Sequence, residues 1–142
     1  MRILVIDAQG GGAGKQLIAA IKNELPEAKV TAVGTNSAAA SAMLKAGADE
    51  AATGENPVIV CSKTADVIVG PIGIVIADSM LGEVTPRMAQ AVAQSSAVRI
   101  LIPFNSCNNL IAGVTDPNTK TLIADAVRKI RTLADHSADI DK

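Results

Sequence analysis

The run Ile3-Leu4-Val5-Ile6, followed by Asp7 and by glycine at positions 10, 11, 12 and 14, constrains the fold of this chain more than any other feature. A strand that is apolar at every successive position has both faces covered, which is the situation of a parallel sheet with helices on each side. The rest of the chain repeats that rhythm. Strands are expected over Lys29–Val33, Asp49–Ala52, Asp66–Gly70, Val98–Pro103 and Leu110–Val114. Helices are expected over Lys15–Leu25, Ser37–Ala46, Val58–Lys63 and Thr85–Gln94, with a last one opened by Asp116-Pro117. Ile72 to Leu81 is read as a helix because Ile72, Val75, Ile76, Ser79 and Met80 share one face; a buried strand is the competing reading. The expected class is α/β: a single three-layer Rossmann-like domain over residues 1–135, with an open, mostly parallel sheet of five or six strands and helices on both faces. Residues 136–142 are expected to form a frayed, polar C-terminal tail.

Composition removes several functions. A length of 142 residues suits one domain with a real core. Thirteen basic and fourteen acidic residues are scattered without a cluster, so no nucleic-acid footprint is expected. Phe104 is the only aromatic residue, which nearly excludes a stacking platform for bases or flat cofactors. The longest apolar run, Val67–Ala77, contains Gly70, Pro71 and Gly73 and is shorter than the roughly 20 residues a bilayer span requires. No signal peptide is read at the start, since Asp7 interrupts the apolar stretch, and a cytoplasmic, membrane-free protein is expected. Cys61 and Cys107 form no metal-ligand pattern, and the single histidine, His136, lies in the tail, so no metal site and no Ser-His-Asp or Cys-His machinery is expected.

The chemistry concentrates in Asp7-Ala8-Gln9-Gly10-Gly11-Gly12-Ala13-Gly14-Lys15, between the first strand and the first helix. Glycine lets backbone N–H groups approach an anion, and the helix N-terminus adds a partial positive charge. The loop fits no nucleotide fingerprint completely. Gly14-Lys15 suits a Walker A loop, but Gln9 stands in place of its first glycine and Gln16 in place of its Mg²⁺-binding hydroxyl. The ParA-like variant matches Gly11, Gly12, Gly14 and Lys15 and lacks its lysine at Gly10. The dinucleotide pattern matches Gly10 and Gly12 and then meets Lys15, while the short-chain dehydrogenase loop matches only Gly12 and Gly14. The alternative is a turn that merely packs the helix on the sheet.

In open α/β sheets, ligands lie outside the carboxyl ends of the strands. That edge is expected to display Asp7, Gln9, Thr35 and Asn36, the segment Gly70-Pro71-Ile72-Gly73, and Asn105 with Ser106, Cys107, Asn108 and Asn109. Thr35 and Asn36 are read as ribose contacts or as the cap of the next helix. Asp7 is read as a ligand to a bound group or as an acceptor for its own loop. Asp78, Ser79 and Glu83 are read as a solvated face or as helix caps, and Cys107 as an inert thiol rather than a nucleophile.

Several blocks together resemble one family: Val5-Ile6-Asp7 with the loop to Lys15, Ala32-Val33-Gly34-Thr35-Asn36, Lys45-Ala46-Gly47-Ala48-Asp49, Ala52-Thr53-Gly54-Glu55-Asn56, and Gly70-Pro71-Ile72-Gly73 through Met80-Leu81-Gly82-Glu83. It is similar to an uncharacterised group of small bacterial proteins, mainly from Firmicutes, catalogued as a domain of unknown function. The resemblance covers nearly the whole chain and departs at Ala8, where glycine is expected. It implies a bacterial cytoplasmic protein and carries over no catalytic residues.

These residues point to a nucleotide- or dinucleotide-binding protein, with NAD(P) or another nucleotide as cofactor. Gly10, Gly11, Gly12, Ala13 and Gly14 would hold phosphate with help from Lys15, Thr35 and Asn36 would face a ribose, and Gly70–Gly73 with Asn105 would wall the site. The rivals are a small P-loop-like NTPase or phosphotransferase, with Lys15 on the phosphates and Asp7 on Mg²⁺, and a non-catalytic interaction module with a structural glycine loop. A homodimer is also expected, because a 72–81 helix apolar on most of its circumference needs cover on a second side.

Overall fold

The computed structural model of the protein describes residues 1–104, 109–115 and 118–140. Five strands form one sheet: β1 (Arg2–Asp7), β2 (Lys29–Gly34), β3 (Glu50–Thr53), β4 (Val67–Pro71) and β5 (Val98–Ile102). Their spatial order is β3-β2-β1-β4-β5 and every pairing is parallel. The protein is therefore a Rossmann-like α/β domain with β1 at the centre. Its order reverses beside β1, which creates the crevice where such sheets take ligands.

Alternation along the strands feeds two cores. Ile3, Val5, Val30, Ala32, Val67 and Val69 face α1 (Gly12–Glu24), α2 (Ser37–Lys45) and α5 (Thr119–Ile140). Leu4, Ile6, Val33 and Ile68 face α3 (Glu55–Ser62) and α4 (Pro86–Gln94) on the other side. The expected three layers are present, and the uniformly apolar β1 is buried on both faces. Two helices start where their sequence signals stand. The Asn36 side chain accepts from the Ala39 N–H at the head of α2, and the Thr85 hydroxyl accepts from the Met88 N–H before Pro86.

Five expectations are corrected. The helix over 72–81 is only a 3₁₀ turn, Ile72–Val75, followed by irregular turns. Ile74 and Met80 nevertheless reach the second core, so these two side chains are covered by turns folded against α4 and need no partner, while Leu81 stays exposed. Leu110–Val114 forms no strand and is exposed. α1 begins at Gly12 rather than Lys15, which leaves a connection of only Ala8–Gly11. α3 begins at Glu55, capped by Gly54 rather than Asn56. At the end of the chain, helix α5 continues through Ile140, into the stretch read as frayed. Among the described residues, no helix is long and apolar enough to cross a membrane.

Candidate functional site at the carboxyl edge of the sheet

The β1 strand ends at Asp7, which is 4% exposed. Its two carboxylate oxygens accept from the Ala8 N–H at 2.8 Å and the Gly14 N–H at 2.6 Å. Asp7 thus ties the connection and the first turn of α1 to the strand from behind. Burial is the main influence on its acidity and pushes the carboxyl above its ordinary value; the two N–H donors oppose this, and the nearby Glu83 charge adds to it.

The four glycines do two different jobs. Gly11 has φ +72°, and a Cβ there would lie 2.8 Å from the Ala39 Cα. A Cβ on Gly14 would lie 2.5 Å from the Met43 sulfur and 2.9 Å from the Asp7 Cβ. Both positions are fixed by packing of the loop and α1 against α2 and β1. At Gly10 and Gly12 a Cβ would meet nothing within 4 Å, and neither has a left-handed φ. Nothing among the described residues requires glycine at these two positions. Beside them, the N–H groups of Gly10, Gly12 and Ala13 donate to no acceptor among the described residues.

Across the loop stands a residue read from the sequence as only a cap or a solvated face. Glu83 lies in the turn that precedes α4, and its Oε1 accepts from the Gln9 N–H at 2.9 Å, the Thr35 hydroxyl at 2.7 Å and the Asn36 amide at 2.7 Å. Asn36 also donates to the Gln9 carbonyl at 2.9 Å while capping α2. The Thr35 N–H donates to the Asp7 carbonyl at 3.0 Å. Thr35, Asn36 and Gln9 are therefore brought together beside the glycine loop, as expected from their strand ends. Desolvation acts to raise the Glu83 carboxyl, but its hydrogen bonds with Thr35, Gln9 and Asn36 win and hold it below the usual range.

The remaining residues are distributed less closely. Lys15 is exposed at the head of α1 and opens onto the groove shared with Ser41 and Lys45 of α2. Gly70 is close-packed: a Cβ there would collide with the Ile6 carbonyl. A Cβ on Gly73 would lie 2.7 Å from the Met80 Cε and 3.0 Å from the Ser79 Oγ. Pro71 is buried and Ile72 half-buried, so Gly70-Pro71-Ile72-Gly73 holds its backbone against the protein itself. Asn105, Ser106, Cys107 and Asn108 lie outside the described residues.

Fold and edge together define a Rossmann-like α/β protein whose glycine connection and first helix open onto the carboxyl end of the central strand. The chain belongs to the family described as a domain of unknown function (DUF3842), whose profile matches residues 2–135. No curated protein matches it. Among solved structures, the crystal structure of a dodecameric FMN-dependent UbiX-like decarboxylase from Escherichia coli O157:H7 is similar at 16% identity and a TM-score of 0.45, over 89% of this chain and 76% of that one.

Proposed function

We propose that this protein binds a nucleotide or dinucleotide, with its phosphate held by Gly10, Gly11, Gly12, Ala13 and Gly14 at the head of α1. The observation that carries this reading is the pair Gly10 and Gly12. Both lack a Cβ where the protein has ample space for one, and unpaired N–H groups stand beside them. Backbone that must be approached closely by a phosphate has this character. Thr35 and Gln9 line the neighbouring edge, and Lys15 adds positive charge at the mouth of the loop. NAD(P) or a related nucleotide is the favoured cofactor class.

The NTPase alternative is less well supported. Both oxygens of Asp7 already hold loop N–H groups, which leaves a poor Mg²⁺ ligand, and Gln16 offers no hydroxyl. The purely structural reading accounts for Gly11 and Gly14 but not for Gly10 and Gly12. Self-association as a two-fold pair stays part of the proposal, now on Leu81, exposed in the turn before α4.

The test is binding. A thermal-shift panel of NAD⁺, NADP⁺, ATP, GTP, FAD and pyrophosphate should contain at least one stabilising ligand, since a ligand at about 100 times its Kd adds about 2.7 kcal/mol. Gly12→Val should abolish that shift while leaving the unliganded protein folded. Stabilisation that survives Gly12→Val unchanged would refute the phosphate cradle.

A further inference from the structure

Three separate pieces of the edge converge on one oxygen atom. Glu83 Oε1 takes the Gln9 N–H from the β1 connection, the Thr35 hydroxyl from the end of β2 and the Asn36 amide from the head of α2. The other oxygen, Oε2, accepts no hydrogen bond from the described residues, and no lysine or arginine among them pairs with this carboxylate. The side chain is therefore oriented by the protein through one oxygen, with the second left as an unengaged acceptor.

The chain places this group with some effort. Immediately before it, Met80, Leu81 and Gly82 all have positive φ, at 55°, 59° and 85°. Two consecutive non-glycine residues in the left-handed region carry a conformational cost that surrounding structure must hold in place. Met80 is buried in the second core, and this anchors the turn.

An oriented acceptor without a counter-ion recognises hydroxyl donors and repels phosphate. In a parallel sheet of this order, a ligand whose phosphate sits at the head of the first helix lays its ribose over the end of β2. β2 ends in Gly34-Thr35-Asn36, with no acid of its own. We propose that Glu83, supplied from the turn after β4, is the specificity-determining acceptor for the 2′- and 3′-hydroxyls of the ribose, so that the site takes a nucleotide with a free ribose diol and rejects one carrying a 2′-phosphate. This rests on the phosphate reading of the glycine loop.

The experiment is calorimetric titration of the full chain with NAD⁺, NADP⁺ and inorganic pyrophosphate, for the natural sequence, Glu83→Gln, Glu83→Ala and Gly12→Val. Gln retains a carbonyl for the three protein donors and replaces the open acceptor by a donor, so it tests recognition with the turn preserved. A circular-dichroism melt of each variant monitors folding. The expected result is NADP⁺ binding about 100-fold weaker than NAD⁺, the order of effect for a like charge close to a partly desolvated carboxylate. Glu83→Gln should weaken NAD⁺, strengthen NADP⁺ and leave pyrophosphate unchanged, and Glu83→Ala should erase the preference. Equal binding of the two dinucleotides, unaffected by Glu83→Gln, would overturn the ribose assignment alone. Gly12-dependent binding of pyrophosphate without binding of either dinucleotide would also overturn that assignment and spare the glycine loop. If neither the dinucleotides nor pyrophosphate bind, the glycine-loop reading falls and takes the Glu83 proposal with it.

Discussion

The two connections that meet at the candidate site use glycine in opposite ways. After β1, the stretch Gln9–Gly14 contains four glycines, yet its two left-handed residues are Gln9, at φ 52°, and Gly11, at φ 72°. After β4, the turn Asp78–Gly82 has four residues with positive φ, and only Gly82 is glycine. Backbone conformation alone would place glycine elsewhere, at Gln9, Asp78, Met80 and Leu81 rather than at Gly10 and Gly12. In the β1 connection, Gly10 and Gly12 leave space open above the backbone, while Gly11 and Gly14 are packed. In the β4 turn, Met80 keeps its side chain despite the strain because it anchors the second core, as the turn delivers Glu83.

The strongest way to break this contrast is to fill the packed glycines. Gly11→Val would force a β-branched side chain into a left-handed conformation and against the Ala39 backbone, at an expected cost of about 3–5 kcal/mol. Urea denaturation measures it, and a cost below about 1 kcal/mol, the scale of an ordinary surface change, would mean that Gly11 is not held by packing.

The open glycines should answer differently. Gly12→Val should change unfolding free energy by less than about 1 kcal/mol while removing ligand binding in calorimetry. A stability loss as large as that of Gly11→Val would erase the distinction between the two pairs.

The two carboxylates sharpen the comparison through pH. Asp7 has a folded pKa raised above its ordinary 3.8, so the folded protein keeps a proton that the unfolded chain has lost, and stability falls as pH rises through that window. Glu83 is shifted down from 4.5, so its contribution is present above 4.5 and is lost as pH falls through the lower folded value. Asp7→Asn should remove the first slope and Glu83→Gln the second, in urea unfolding measured across the acid range. Asp7→Asn also leaves one loop N–H without its acceptor, at about 1–3 kcal/mol. Unaltered slopes in both variants would show that neither group is coupled to folding as drawn.

The smallest effect belongs to the strained turn. Leu81 is 97% exposed in the single chain with φ 59°, so at dilutions where the chain is monomeric Leu81→Gly relieves a left-handed side chain without emptying a core site. The gain is offset by the greater freedom of glycine in the unfolded chain, leaving about 0.5–1 kcal/mol of stabilisation. A loss of stability in the same denaturation measurement would mean that the exposed side chain is held by contacts in solution.

Much of this architecture is legible in the sequence. The strands β1, β4 and β5 centre on short aliphatic runs, and Asn36 and Thr85-Pro86 mark helix starts through local chemistry. Strand ends alone place Thr35, Asn36 and Gln9 at one edge, and the three do meet there. Glu83 is invisible as their partner, because it joins Thr35 from 48 residues away through a turn whose apolar spacing imitates a helix. Ile74 and Met80 satisfy that spacing by reaching the core from non-helical backbone, so burial overrides local periodicity. The division of the glycines into packed and open pairs depends on Ala39 and Met43 of α2, which no local pattern connects to the loop.

Helix α5 has a practical consequence. Its 22 residues reach about 33 Å, whereas a strand of five or six residues spans about 17–20 Å. Core contacts end near Leu133, and the remaining turns run past the sheet beside Met1 and the Glu24–Ala28 connection. That end lies at the opposite edge of the sheet from Asp7, Thr35 and Glu83. A tether to a sensor surface attached along these outer turns would hold the protein with its glycine loop facing the flow, so that ligand arrival could be followed on an immobilised molecule without obstructing the crevice.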